Sequence, residues 1–194
     1  QEYPKPVFLE ESSEEFSKIK TSPQTKTIDY YDNMVEELKK IRDLAKDNTP
    51  ISQGKWVYFP WNFHLVKILD HEDFFALRTA RNKEINTKEE QDKFRKTVVG
   101  IAGLSVGNSA ATAIAYSGGS ETMKLADPDT LDGSNLNRIR AGVKDLGENK
   151  TFIAAKQIYE VNPYANLILY PDGLTPDNLK DFLLGEPKLD IVVD

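Results

Sequence analysis

The sequence of 194 residues contains no cysteine, and it has two histidines. The absence of cysteine excludes disulfides, thiolate metal sites and a cysteine nucleophile within this chain. Neither His64 nor His71 belongs to a cluster of carboxylates at metal-ligand spacing. We therefore predict packed or surface roles for both histidines and no metal site built on them.

Long hydrophobic runs and long basic runs are missing as well. No apolar stretch reaches the roughly 20 residues that span a bilayer, so no membrane partner is expected. The formal net charge is −6, without a basic cluster, which argues against a nucleic-acid partner. The N-terminus lacks the charged and then apolar pattern of a signal peptide. We expect a globular cytoplasmic protein.

The first part of the chain, residues 1–77, is predicted to be an N-terminal α+β extension. Residues 1–25 are polar and contain proline, so we expect them to be extended or partly disordered. Apolar positions recur at helical spacing from Tyr30 to Ala45. The stretch WVYFPWNFHLVKIL predicts two short strands, or a strand and an extended arm. Its aromatic residues predict contact with a second copy of the chain: Trp56, Tyr58, Trp61 and Phe63.

The pattern becomes regular later in the chain, where Thr87 is the predicted N-cap of a short helix. Four apolar runs, TVVGIAG, TMKLAD, ANLILY and LDIVVD, predict strands, and helical patterns lie between them. This alternation predicts an α/β fold of Rossmann-like type, with a mostly parallel sheet and flanking helices. Ligands of such sheets bind beyond the carboxyl ends of the strands. Residues that follow these strands are therefore the candidates for a site.

A glycine turn follows the first of these strands. Gly103 and Gly107 are what remains of a three-glycine dinucleotide pattern, and the helix after them offers unpaired backbone N–H groups to a phosphate. Asp127 ends the second strand, where a carboxylate can accept hydrogen bonds from ribose hydroxyls. These residues alone are compatible with two interpretations. One is a strand–helix turn that binds no ligand, and the other is a nucleotide site, such as that of an NAD-dependent oxidoreductase.

The loop after Asp127 separates these alternatives. The sequence DPDTLDGSNLNR is followed by GENK at residues 147–150. This order resembles the ThiF/MoeB/E1 family of adenylating enzymes, which has a glycine turn, Asp-x-Asp, Ser-Asn-Leu-x-Arg and then Gly-x-x-Lys. The resemblance covers about residues 78–194, which we assign to the nucleotide-binding domain. The matching residues are Asp127, Asp129, Ser134, Asn135, Leu136, Arg138, Gly147 and Lys150.

The resemblance implies ATP-dependent adenylation of a carboxylate with release of pyrophosphate. Arg138 and Lys150 are implied to hold the triphosphate, since a guanidinium fork and an ammonium suit phosphate oxygens. The implied cofactors are ATP and Mg²⁺. The implied substrate is a carboxylate on a small acid, a peptide, or a ubiquitin-like or sulfur-carrier protein. The residues expected to bind the nucleotide are Gly103, Ser105, Gly107, Asp127, Ser134, Asn135, Arg138 and Lys150.

A second segment, LRTARNK, resembles the Arg-x-x-Arg-Gln segment of the same family. The resemblance makes Arg81 a candidate catalytic arginine that reaches the ATP of a partner subunit, which implies a homodimer. Two solvated arginines on a helix surface are an equally good interpretation. The region before Arg78 also resembles the leading segment of bacterial proteins that join a ThiF-like domain to a nitroreductase-like domain.

Two features of the family are expected to be missing from this chain. The family's magnesium ligand falls about three residues after Asp194, so no metal ligand is predicted within the chain. A sheet that stops at its fourth strand is half of the family's fold, so we expect a truncated chain that is inactive alone. Two alternatives remain: a non-catalytic E1-like scaffold, supported by the incomplete glycine pattern, and an NAD-dependent oxidoreductase, disfavoured by the SNLNR loop.

Overall fold

The structure, a computed structural model, describes residues 3–194, and these form two compact units. The first unit is Lys5–Ile85, and the second is Asn86–Asp194 together with Tyr3 and Pro4. The domain boundary predicted from the sequence, between residues 77 and 78, stays a prediction.

The first unit contains a four-stranded sheet and three α-helices in its described residues. Its strands are Val7–Leu9 (β1), Lys26–Asp29 (β2), Lys55–Phe59 (β3) and His64–Ile68 (β4). Its helices are Glu14–Thr21 (α1), Tyr31–Ala45 (α2) and His71–Arg78 (α3), followed by a 3₁₀ helix over Ala80–Glu84. In the order β1-β3-β4-β2, β2 is parallel to β4 and the other pairs are antiparallel. The predicted helix ending at Ala45 is confirmed, and of the two alternatives for the stretch after it the structure has the two strands.

The expectation that residues 1–25 are extended or partly disordered is wrong for α1, whereas β1 is an extended strand. Ser13 caps α1 by accepting a hydrogen bond from the Phe16 backbone N–H at 3.1 Å. Phe16 packs in one buried cluster with Leu9, Trp56 and Leu65. Trp56 is 4% exposed, so it is a core residue of this unit and is removed from the predicted interface. Gln1 and Glu2 lie outside the described residues.

The second unit contains a four-stranded parallel sheet and four α-helices in its described residues. Its strands are Val99–Ala102 (β5), Thr122–Ala126 (β6), Asn166–Tyr170 (β7) and Ile191–Val193 (β8). Its helices are Lys88–Lys96 (α4), Gly107–Tyr116 (α5), Lys150–Val161 (α6) and Leu179–Leu184 (α7), with 3₁₀ helices at Gly133–Asn135 and Val143–Asp145. The order is β7-β6-β5-β8, and every pair is parallel. The predicted Rossmann-like α/β fold is confirmed.

Local sequence signals explain how helix α4 begins. Thr87 Oγ1 accepts a hydrogen bond from the Glu90 backbone N–H at 3.2 Å, and Glu90 Oε2 accepts one from the Thr87 backbone N–H at 2.8 Å. This reciprocal pair is a capping box, which satisfies two backbone donors at the helix start. The predicted N-cap at Thr87 is confirmed.

Helix α7 is attached to the sheet by a buried lysine of β6. Lys124 is 1% exposed. Its Nζ donates to the carbonyl oxygens of Asp181, Phe182 and Gly185 at 3.0, 2.9 and 2.8 Å. The last carbonyl groups of a helix lack partners within the helix, so the ammonium supplies a donor to them and matches the helix dipole. The Asp181 carbonyl also accepts from the Gly185 N–H at 2.8 Å.

Candidate functional site

The glycine turn lies at the carboxyl end of β5, where the sheet is expected to bind ligands. Gly103 has a φ of +83°, a conformation that costs glycine little and other residues more. Its N–H donates to the Ala126 carbonyl at 2.8 Å, which ties the turn to the end of β6. At Gly107, an added Cβ would lie 2.7 Å from Ile101 Cγ2. The first glycine therefore shapes the turn, and the second lets α5 pack closely on β5.

Asp127 fixes the glycine turn and the loop after β6. Asp127 is buried, with 4% of the residue's surface exposed. Oδ2 accepts from the Leu104 backbone N–H at 2.6 Å, and Oδ1 accepts from the Asp129 backbone N–H at 2.9 Å. Each carboxylate oxygen has a further lone pair, so these bonds leave room for the predicted ribose contact. The ribose role of Asp127 remains a prediction.

Lys150 is the first residue of α6 and lies beside the glycine turn. It is 5% exposed, although lysine is almost never buried without a partner. Its Nζ lies 2.7 Å from Asp129 Oδ2, 3.5 Å from Ser105 Oγ and 3.9 Å from Asp127 Oδ1. A buried ammonium at this edge faces both the glycine turn and the loop after β6.

The loop from residue 127 to residue 149 is closed by backbone pairing. Leu131 N–H donates to the Glu148 carbonyl at 2.8 Å, and Gly147 N–H donates to the Leu131 carbonyl at 2.9 Å. Under the loop, Leu131 and Ile139 pack against Ile153 of α6 in a small buried cluster. This cluster explains why an isoleucine stands between Arg138 and Arg140: it anchors the loop.

Arg138 lies on the outer side of this loop and is exposed. Its Nη1 donates to the Ser134 carbonyl at 3.3 Å and to Asn137 Oδ1 at 3.0 Å. Ser134 is also exposed. Asn135 is buried, and its Oδ1 accepts from the Asp132 N–H at 3.2 Å, a contact that shapes the loop. The phosphate roles of these residues remain predictions.

The structure therefore brings the predicted site residues together in two groups. Hydrogen bonds and close contacts connect Gly103, Ser105, Asp127 and Lys150 through the ends of β5 and β6. Ser134, Asn135 and Arg138 lie on the anchored loop. Arg81 is an exposed residue of the 3₁₀ helix in the first unit, and its predicted role in trans remains a prediction.

Two polar residues of the site were missed by sequence reasoning. Asn149 caps α6 by accepting from the Thr151 N–H at 2.9 Å, and its Nδ2 donates to the Pro171 carbonyl at 3.0 Å. An asparagine before a helical run is a recognisable N-cap signal. Gln157 accepts from Asn108 Nδ2 at 3.1 Å and donates to the Arg140 carbonyl. No sequence signal predicts this bridge between α5, α6 and the loop.

Charged side chains hold the end of the loop. Burial raises the pKa of the Asp145 carboxyl, but hydrogen bonds from Lys144 Nζ and the Gly142 N–H outweigh it, so the pKa lies below its usual value. The same contact with Asp145 raises the pKa of Lys144. Glu148 pairs with Lys156 of α6. These pairs hold the segment before Lys150 in one conformation.

Burial also affects Tyr170, the last residue of β7 at the same sheet edge. It raises the pKa of Tyr170 to about 12, with a further contribution from the hydrogen bond to Asp181. Tyr170 Oη donates to Asp181 Oδ2 at 2.7 Å. Tyr170 thus links the end of β7 to α7.

Residues 3–194 contain no group of three or more His, Asp or Glu placed to bind a metal ion. None of their helices combines the length and the apolar character needed to cross a bilayer.

Comparison with known sequences gives related proteins for both units. An uncharacterized protein of Mycobacterium tuberculosis is 39% identical over 171 residues, which is 87% of this chain and 24% of that protein. An adenylyltransferase and sulfurtransferase of Candida albicans is 31% identical over 96 residues, 49% of this chain and 22% of that protein. The chain thus spans about a quarter of the length of these curated relatives.

Solved structures of similar fold include enzymes with ATP bound. The Escherichia coli tRNA N6-threonylcarbamoyladenosine dehydratase TcdA in complex with ATP is 26% identical, with a TM-score of 0.52, over 55% of this chain and 44% of that chain. MccB of E. coli with ATP is 26% identical, with a TM-score of 0.50, over 60% of this chain and 36% of that chain.

A model of the ThiF family matches residues 77–194, more than half of the chain. This match covers the glycine turn, the loop after β6 and Lys150, the same residues whose order resembles the family. The parallel sheet and the structural neighbours agree with it. The chain belongs to the ThiF family.

Proposed function

We propose that the protein uses ATP to adenylate a carboxylate and releases pyrophosphate. The observation that carries the proposal is the buried Lys150 ammonium, 3.5 Å from Ser105 Oγ in the glycine turn, in a chain of the ThiF family. A cation beside a glycine turn and the N-terminus of a helix is suited to an anionic phosphate group.

The chemistry explains why cations are needed at this edge. A substrate carboxylate oxygen forms a bond to the α-phosphorus, the bond between that phosphorus and the bridging oxygen breaks, and pyrophosphate leaves with the electron pair. The nucleophile is already ionised, so no strong base is required. Two anions must meet, and negative charge grows on phosphate oxygens, so positioned cations lower the barrier. Lys150 is the buried point charge in this scheme, and Arg138 is the guanidinium on the loop.

The relatives support ATP as the substrate. The structures of TcdA and MccB at 26% identity are ATP complexes, and one curated relative is named an adenylyltransferase. They favour adenylation over the NAD-dependent oxidoreductase. The alternative of a non-catalytic scaffold is disfavoured because the chain has both Arg138 and Lys150. A scaffold has no physical need for these two cations.

The proposal also concerns the acceptor, the oligomeric state and the metal. The acceptor is a carboxylate on a small acid, a peptide or a carrier protein, and the active unit is a homodimer in which Arg81 reaches the partner's ATP. Magnesium accompanies ATP in this proposal, but the described residues contain no group of three or more His, Asp or Glu placed to hold it. No catalytic step is therefore assigned to the metal. A cytoplasmic location remains a prediction.

The first prediction tests the two cations in the full-length protein. Arg138→Ala and Lys150→Ala should each weaken ATP binding by about 1–3 kcal/mol, the value of a charge-assisted hydrogen bond. Arg140→Ala is the matched control, because Arg140 is an exposed arginine on the same loop with no place in the proposed site. Its ATP affinity should equal that of the parent. Isothermal titration calorimetry measures all four affinities.

The same titrations separate the alternatives. ATP binding, followed by pyrophosphate exchange that depends on a carboxylate substrate, supports adenylation. ATP binding without any exchange across a panel of acids and peptides supports the scaffold. Tight NAD binding without ATP binding supports the oxidoreductase. Unchanged ATP affinity in both alanine variants would show that the cations are not at the nucleotide site.

A further inference from the structure

The carboxylate of Asp129 occupies the side of Lys150 that the proposed function needs for phosphate. Lys150 Nζ makes its shortest contact, 2.7 Å, with Asp129 Oδ2. Asp127 Oδ1 lies 3.9 Å from the same Nζ. Two carboxylates therefore face one ammonium, and their summed charge is negative where a polyanion is proposed to bind. An additional anion is repelled there unless one carboxylate moves away.

The two carboxylates differ in how they are held. The side chain of Asp127 is 5% exposed, and both its oxygens accept backbone N–H groups, from Leu104 and Asp129. The side chain of Asp129 is 66% exposed, and among the described residues its carboxylate pairs with Lys150 alone. Moving Asp129 into water costs little, because it is already largely hydrated. Moving Asp127 would break two hydrogen bonds from backbone N–H groups, one of them buried.

Lys150 itself cannot follow Asp129 into solvent. Its side chain is 5% exposed, and its backbone N–H donates to the Asp129 carbonyl at 3.0 Å. The Asp129 N–H is held by Asp127 at 2.9 Å. The backbone around both residues is thus fixed from each side, and rotation of the Asp129 side chain is sufficient to uncover the ammonium.

We infer that Asp129 is the exchangeable counter-ion of Lys150, which pairs with the ammonium before ATP binds and gives it up to the phosphates. The inference rests on the proposed function and adds a self-inhibitory contact to that site. Asp129 holds the buried ammonium at the edge of the sheet. The same contact competes with the phosphates, so nucleotide affinity is lower than the lysine alone would provide.

The test removes the Asp129 carboxylate from the full-length protein while keeping the shape of the side chain. Asp129→Asn removes the competing charge, and Asp129→Glu keeps it. Asp92→Asn is the matched control: Asp92 pairs with Lys88 at 2.6 Å in an exposed pair on α4, so it loses the same charge elsewhere. Dissociation constants are measured by calorimetry for ATP and for inorganic tripolyphosphate, and circular dichroism checks the fold. Asp129→Ser is a second variant without the carboxylate.

The expected result is a gain in affinity. Asp129→Asn and Asp129→Ser should bind ATP and tripolyphosphate about threefold to tenfold more tightly than the parent, as expected for one partly screened charge. Asp129→Glu and Asp92→Asn should stay within about twofold. A merely structural role for Asp129 predicts loss of affinity, so the direction of change distinguishes the two.

The outcomes separate this inference from the proposed function. If the parent binds ATP and the folded Asp129→Asn variant binds it equally or more weakly, the counter-ion exchange is wrong and the proposed function stands. If neither Asn nor Ser variant folds, Asp129 is structural and the inference is overturned. If the parent binds no ATP, both the proposed function and the inference fail.

Discussion

At the scale of single residues, two buried lysines of the second unit have opposite surroundings. Lys124 is 1% exposed and donates to three neutral backbone carbonyls. Lys150 is 5% exposed and faces two carboxylates at the sheet edge. The carbonyls belong to fixed backbone and cannot be exchanged, whereas a carboxylate on a side chain can rotate away. The first arrangement stabilises the fold, and the second suits a binding site.

A prediction at this scale concerns Tyr170. Its folded pKa is raised to about 12, above the value of about 10 for an unfolded tyrosine. The unfolded chain therefore loses the proton first as pH rises, and the stability associated with the neutral phenol is complete below about pH 10 and is lost on the way to about pH 12. Between pH 9 and pH 12 the parent should lose more stability than Tyr170→Phe, because the variant has no phenol to titrate.

Urea unfolding at several pH values measures this difference. Tyr116→Phe, at an exposed position, controls for the loss of a tyrosine hydroxyl. If the stabilities of the parent and Tyr170→Phe stay parallel over the whole range, the pKa of Tyr170 is not raised by burial or by the hydrogen bond to Asp181, and the prediction is wrong.

At the scale of elements, the loop after β6 behaves as an anchored segment. Its backbone pairs with itself between Leu131 and residues 147–148, and Ile139 is buried under it. Anchoring by a small apolar cluster fixes where the exposed Arg138 can reach. An arginine on a fixed loop loses less conformational freedom on binding a phosphate than one on a mobile loop.

The attachment of α7 to the sheet gives a prediction at this scale. Lys124→Met keeps the apolar length of the side chain but removes the donor to the carbonyls of Phe182 and Gly185. The Asp181 carbonyl loses one of two donors, because it also accepts from the Gly185 N–H at 2.8 Å. We expect a loss of about 2–4 kcal/mol in the free energy of unfolding, because buried acceptors lose charge-assisted hydrogen bonds. Lys180→Met is the matched control, an exposed lysine of the same helix, with an expected change within about 0.5 kcal/mol.

Denaturant unfolding followed by circular dichroism measures both variants. A stability of Lys124→Met equal to that of the parent would mean that desolvation of the ammonium offsets the whole contribution of its three hydrogen bonds.

At the scale of the whole molecule, the proposed homodimer can be tested by mixing variants. If Arg81 acts in trans, Arg81→Ala and Lys150→Ala should each abolish pyrophosphate exchange in the full-length protein. A dimer with one subunit of each kind has one intact site. An equal mixture after subunit exchange should therefore recover about one quarter of the parent activity, from random pairing in a two-fold symmetric dimer.

Light scattering gives the independent control for this prediction. A monomer at every concentration would remove the trans role of Arg81 and leave the nucleotide site unaffected. If the mixture forms mixed dimers but recovers no activity, Arg81 does not act on the partner's ATP, and the trans role is wrong.

The sequence alone determined the elements of the second unit and their order. Four apolar runs, alternating with helical patterns, predicted strands that all prove parallel. A threonine at the start of a helical pattern predicted the cap of α4 at Thr87. The order of the glycine turn, the SNLNR loop and Lys150 indicated the ThiF family. Each of these signals depends on neighbours within a few residues or on motif order, which a sequence displays directly.

The tertiary structure decided which side chains meet. The helix α1 was missed because its local composition is polar, and Phe16 becomes buried only when Trp56 and Leu65 pack against it. Asp127 holds Leu104 across 23 positions of sequence, and Lys150 reaches Ser105 across 45. The partnership of Lys150 with Asp129, and the burial of Lys124 under α7, follow from strands aligned side by side. Periodicity is a local property, whereas contacts over such separations exist only after the sheet has brought its strand ends to one edge.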